Sequence, residues 1–151
     1  MIKFTDMSDK EKKDRIARRD FKDVDMSGAN LIRANLRRAN LNGANLTGAN
    51  LTGANLRLVN LIGAILSESN LRGSDLRDAD FMGANLRNAD LSATNLSGAN
   101  LRWTNLSSAD LNHANLSDAN LRWANLIGAD LSGADLTNTI LDSKLAHTTA
   151  L

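Results

Sequence analysis

From Phe21 to Leu141 a large apolar residue recurs at every fifth position, 25 times without an insertion, and 22 of these are Leu. Phe21, Met26 and Phe81 are the others. Two residues earlier the side chain is small: Ala 17 times, otherwise Val, Ser or Thr, with Arg19 the sole exception. Between the two stands Asn or Asp, broken only by Ile65 and Ile140. A period of five suits neither regular element. On an α-helix successive Leu would be rotated by about 140° and form no stripe. Along one continuous strand they would fall on alternate faces. Within a unit, the small residue and the Leu are two apart and share one side of an extended segment. All such pairs point inward only if the chain turns after each short segment. The two variable residues after each Leu, often ending in Gly, supply those turns. The pattern predicts a coil of short extended sides around a Leu/Ala axis.

The motif small–(Asn/Asp)–Leu–x–x, plain in GANLTGANLTGANL at 43–56, resembles the pentapeptide-repeat family, whose Leu-centred versions abound in cyanobacteria. The match runs over residues 19–142. The resemblance implies an all-β solenoid, a right-handed quadrilateral parallel β-helix. With four units per coil, the run makes about six coils, each ~4.8 Å tall. Positions 20 apart then stack in columns.

The ends break the pattern. Residues 1–18 read as a capping segment with a helix, since Ser8 and Glu11 fit a capping box before a charged run of helix formers. After Leu141 the frame slips, and residues 143–151 form a short tail. That tail either covers the last coil or leaves it open for a homodimer through the C-terminal coil, because an unblocked β-helix end invites association.

Composition narrows function by exclusion. There is no Cys, so disulfides, thiolate metal sites and a cysteine nucleophile are ruled out. His113 and His147 are far apart, no metal-ligand spacing or phosphate loop appears, and the glycines recur because turns recur. We expect no enzyme, cofactor, metal or small-molecule substrate. The N-terminus lacks the apolar run of a signal peptide, and no stretch is long enough to span a membrane, so a cytoplasmic location is expected. The net charge of +1 hides a polarity. Residues 1–60 carry 12 basic and seven acidic side chains, residues 61–151 six and ten.

Function must then lie on the outward columns. One corner collects Lys22, Asn42, Ile62, Met82, Arg102 and Arg122 beside Asp23, Gly43, Gly63, Gly83, Trp103 and Trp123. Both tryptophans of the chain fall there, each beside an Arg in LRWTNL and LRWANL. Ile62, Met82, Arg102, Trp103, Arg122 and Trp123 are the candidate interaction face for a protein partner. Local packing of indole on indole and on Arg stems is the alternative.

A second column, Arg37, Arg57 and Arg77 with Arg33, Arg38 and Arg72 nearby, is a candidate face for an anion, an acidic partner or nucleic acid. Asp75 and Asp78 are placed to relieve Arg77 alone. Asp90, Asp110 and Asp130 form an acidic corner column, read as either neutral exchange of Asn for Asp or a strip for a basic partner. The remaining Asn ladder is expected to hydrogen-bond turn backbone and neighbouring Asn side chains.

The resemblance implies one more class. Some pentapeptide-repeat proteins resemble duplex DNA in size and charge, and inhibit DNA gyrase or protect it from quinolones. That role requires a strongly acidic surface, and the best-known resistance members also carry projecting loops and a dimerising C-terminus. Here the N-terminal half is cationic and the repeat has no insertion.

Overall fold

A computed structural model describes residues 1–142. The chain is a quadrilateral parallel β-helix in which each coil takes 20 residues, as the parallel bridges Asn40↔Asn60, Asn45↔Ile65, Asn50↔Asn70 and Asn55↔Asp75 show on its four sides. Each side is so short that its one bridging residue is the Asn/Asp of the unit.

The backbone accounts for this arrangement, because every N–H of a unit needs a partner. In the unit Ala44–Gly48, the Asn45 N–H donates to the Val24 carbonyl one coil below, at 3.0 Å. The Leu46 and Gly48 N–H groups donate upward to Ile65 and Ser67 carbonyls, at 2.6 and 3.0 Å. The N–H of Ala44 closes the preceding turn onto the Leu41 carbonyl, at 3.0 Å. Only the Thr47 N–H is left, and the Asn45 side-chain oxygen accepts it at 3.1 Å. All 23 Asn and Asp residues of the repeat do the same, accepting the N–H two residues on at 2.9–3.4 Å. A side chain with an acceptor one carbon beyond Cβ is what the position demands.

The second variable residue of every turn from Asp23 to Asn138 has positive φ, and all ten glycines stand there. With φ positive at that position alone, the turns belong to type II. Glycine is favoured but not required: Arg38, Leu58, Trp103 and Trp123 adopt φ of 59–61°.

Inside, the Leu at every fifth position from Leu41 to Leu121 have no accessible surface, and the Ala two residues before them are equally buried. Each such Leu contributes about 1.5–3 kcal/mol by burial. Ser69, Thr94 and Thr104 replace Ala by returning their hydroxyls to the carbonyl three residues back, at 2.6–2.7 Å. Leu31 at one end, and Leu131, Leu136 and Leu141 at the other, are half-buried.

The N-terminal segment caps the stack in two parts. Strand β1 (Ile2–Lys3) pairs in parallel with β2 (Val24–Asp25), continuing the ladder below the first coil. A 3-10 turn (Phe4–Asp6) follows, and helix α1 spans Asp9–Arg18. The capping box is present: Glu11 N–H donates to Ser8 Oγ at 3.3 Å and Ser8 N–H to Glu11 Oε2 at 2.9 Å. Contact with the core, however, comes from buried Met7 and from Phe4, whose ring lies 6.1 Å from that of Phe21. No residue of α1 is buried. The tail at 143–151, expected either to cover the last coil or to leave it open for a homodimer, lies outside the described residues. Among the described residues no helix is long and apolar enough to cross a membrane.

Candidate functional site

The expected Trp/Arg face exists as a geometric unit. The turn ending in Trp103 lies directly below the turn ending in Trp123, because Asn100 bridges Asn120 and Asn105 bridges Asn125. The backbone locks the register: Trp103 N–H donates to the Arg122 carbonyl at 3.1 Å. Their rings therefore stack, with centroids 4.6 Å apart and planes within 17°. That separation is close to the ~4.8 Å rise of the ladder, so the indole stack follows the solenoid axis. Arg102 lies over the Trp123 ring, its guanidinium carbon 5.0 Å from the centroid. This cation–π contact is worth about 0.5–1 kcal/mol at an exposed site.

Local packing explains the pairing but not the exposure. Trp103 remains 57% exposed and Trp123 44%. Met82 is exposed on the same corner, and Ile62 is half-exposed. Neither Arg102 nor Arg122 has a carboxylate within ion-pair distance among the described residues. The buried Arg102 Nε has no acceptor.

Ile65 also belongs to this region and was not anticipated. It breaks the Asn/Asp rule, is 39% exposed, and flanks Gly63 opposite Ile62 in the run Leu61-Ile62-Gly63-Ala64-Ile65. Its signal in the sequence was the loss of an acceptor that every neighbouring unit keeps.

The arginine column is divided by ion pairs. Arg77 grips Asp75 through Nε at 2.8 Å and Nη2 at 2.6 Å. These hydrogen bonds hold the Asp75 carboxyl below its usual range and raise the Arg77 guanidinium. Asp78 pairs with Arg57 instead, at 3.7 Å. The expectation that both acids serve Arg77 is thus corrected: Asp78 follows Arg77 in sequence, but Arg57 lies one coil below. The Arg37 carbonyl accepts a hydrogen bond from the Arg19 guanidinium at 2.6 Å, and Arg37, with Arg19, Asn35 and Arg38, borders an open hollow of about 270 Å3. Arg33 and Arg72 lie on the neighbouring corner, both exposed.

Asp90, Asp110 and Asp130 stack as bridge partners. They lie on a straight side rather than at a corner, since corners are formed by the two residues after each Leu. Each carboxylate accepts its own turn N–H at 2.9 Å, from Ser92, Asn112 and Ser132. The Ser132 side chain and N–H hold Asp130 below the usual carboxylate range. Rungs between stacked side chains also form, including Asn40 to Asp20, Asn45 to Asp25 and Asn100 to Asp80 at 2.9–3.1 Å.

A cleft of about 530 Å3 opens where α1 leaves the first coil uncovered, lined by Phe4, Ile16, Phe21, Met26, Leu31 and Leu36. Sequence gave no sign of it, because the Leu there follow the repeat and only the cap's incomplete reach exposes them. No cluster of metal-ligating side chains occurs among the described residues.

Comparison with known proteins agrees with the architecture. The model for pentapeptide repeats matches in eight copies, covering residues 20–57, 54–92, 84–122 and 104–142. A pentapeptide-repeat protein of the Arabidopsis thaliana thylakoid lumen is 31% identical, with TM-score 0.68 over 69% of this chain and 72% of its own. The cyanobacterial pentapeptide-repeat protein Rfr23, from Cyanothece 51142, is 28% identical, with TM-score 0.52 over 89% of this chain and 100% of its own. Trypsin-treated QnrB1, a plasmid-mediated fluoroquinolone resistance protein, is 23% identical over 84% of this chain and 81% of its own. Its TM-score is 0.32. No curated protein is similar enough to count as a match. On the family match along nearly the whole coil, and on a repeat whose every part has its place in that coil, the chain belongs to the pentapeptide-repeat family.

Proposed function

We propose that the protein is a non-enzymatic scaffold whose corner bearing Trp103 and Trp123 holds a protein partner. The observation that carries this reading is the pair of stacked indoles, half-exposed beside arginines that have no carboxylate within ion-pair distance among the described residues. Trp and Arg are the residues most often found at the energetic centre of interfaces. An aromatic pair already ordered by the backbone loses little entropy on binding. The interior is filled by Leu and Ala, which supports a role in binding rather than catalysis.

The charged faces support less. Arg57 and Arg77 are engaged by Asp78 and Asp75, which weakens a continuous phosphate-binding column. The acidic column spans three coils only, and the net charge of +1 argues against mimicry of duplex DNA.

Affinity capture from the native host, comparing the tagged wild type with Trp103→Ser/Trp123→Ser, tests the reading. Proteins retained by the wild type, an untagged copy of the chain included, should be lost from the variant. Identical captured sets would refute it.

A further inference from the structure

The column that ends in the two indoles also contains two empty seats. Gly63 and Gly83 lie on the two rungs below Trp103, and nothing stands within 4 Å of where a Cβ would project from either. Gly43, one rung further down, differs, because the Asp23 carboxylate fills the space beside it. A trough two rungs long therefore adjoins a ridge of two indoles. Ile62 and Met82 line one side of it, and Ile65 and Asn85 the other.

We propose that a second copy of the chain fills this trough, running antiparallel, so that each ridge of two indoles seats in the other's two-glycine trough. This names a partner for the face described above and rests on that reading. A two-fold axis across the corner, between the rungs of Gly83 and Trp103, makes the contact isologous. It sets Trp103 over the partner's Gly83 and Trp123 over the partner's Gly63. The two ridges then meet end to end as one stack of four indoles, continuing the 4.6 Å spacing of the pair in each chain.

Charge selects the same arrangement. The axis sets Arg102 against the partner's Met82 and, next to it, the partner's Asp80. In its own chain Arg102 has no carboxylate within ion-pair distance among the described residues. Among the described residues Asp80 is bound only by neutral donors, the Met82 N–H at 3.0 Å and the Asn100 side chain at 2.9 Å. A parallel pairing, about an axis along the coil, would set indole against indole on the same rungs and leave both troughs empty, so the ridges collide.

The experiment is sedimentation of the full chain across a concentration series, with tryptophan emission followed in parallel. Trp103 and Trp123 are the only tryptophans and there is no tyrosine, so the emission comes from the contact itself. A reversible dimer and a concentration-dependent blue shift are expected. Gly63→Asn/Gly83→Asn fills both seats. Asn88 and Asn138 already occupy this turn position at φ 57°, so the coil is retained. That variant should keep the wild-type far-UV circular dichroism and associate at least roughly tenfold more weakly, a loss of about 1.4 kcal/mol.

Register is read by mixing two single-cysteine chains, Ile65→Cys and Asn125→Cys, made in a protein with no native cysteine. The axis brings these positions together and keeps like positions three rungs apart, about 14 Å, beyond disulfide reach. Mixed disulfides are therefore expected, and like-with-like ones are not. A wild type that stays monomeric, a dimer indifferent to the filled glycines, or like-with-like disulfides would each overturn the proposal. In the first case, loss of captured partners from the tryptophan double variant would still uphold the face as an interface for a different protein.

Discussion

At the scale of single residues, each type in the repeat answers a particular demand of the backbone. Asn and Asp recur because one N–H per unit, that of the first turn residue, points away from both neighbouring coils. Ile65 and Ile140 give up that acceptor and present hydrocarbon instead. The same accounting exposes a defect in the core. Ser69, Thr94 and Thr104 return their hydroxyls to backbone carbonyls, but the buried Ser74 Oγ has no partner. Ser74→Ala should therefore stabilise the protein by about 1 kcal/mol, raising the melting temperature by about 2–4 °C. Ser69→Ala, which gives up a 2.7 Å hydrogen bond, should bring no gain. Thermal melts of the two variants decide this, and a Ser74→Ala protein that melts below the wild type would contradict it. The period of five made the inward Leu and Ala legible without coordinates. Ile65 was harder to place: in the sequence it is one lapse among 25 units, and only stacking puts it beside Ile62 and the glycine trough.

At the scale of elements, the cap and the turns separate what sequence can specify from what it cannot. The Ser8–Glu11 box was legible because its two hydrogen bonds are local. The division of labour in the cap was not, since Phe4 and Met7 meet Phe21 and its neighbours through contacts that no local pattern announces. The box also makes the helix sensitive to acid. Hydrogen bonds from Ser8 lower the Glu11 pKa from its ordinary value. A carboxyl depressed in the folded state adds stability that is fully present above its unfolded pKa, about 4.3. That stability is lost as pH falls through the folded value. Amide exchange should accordingly show α1 losing protection on acidification while the central coils keep theirs. Ser8→Ala should lower that protection at neutral pH and flatten its dependence on acid. Equal pH dependence in the two proteins would show that the box does not hold the helix.

At the scale of the whole molecule, one number organises everything: 20 residues return the chain to the same corner, one rung higher. It stacks Trp103 under Trp123, joins Arg57 to Asp78, and aligns the vacant Gly63 and Gly83. The period of five alone does not contain this number, because it fixes that the chain turns but not how many turns close a coil. Family resemblance supplied it, and the pairing of Asp78 was still misread when judged by sequence neighbours instead of by coil.

The most direct test uses the absence of cysteine. Asn35→Cys/Asn55→Cys places thiols on bridge partners, at a Cα separation of about 4.8 Å, within the range a disulfide spans. Asn35→Cys/Asn50→Cys places them 15 residues apart, on different sides of the coil. Mild oxidation followed by mass spectrometry should find an intramolecular disulfide in the first variant and free thiols in the second. A disulfide in the second and none in the first would mean that the coil closes after a different number of residues, and the tryptophan face would disperse with it.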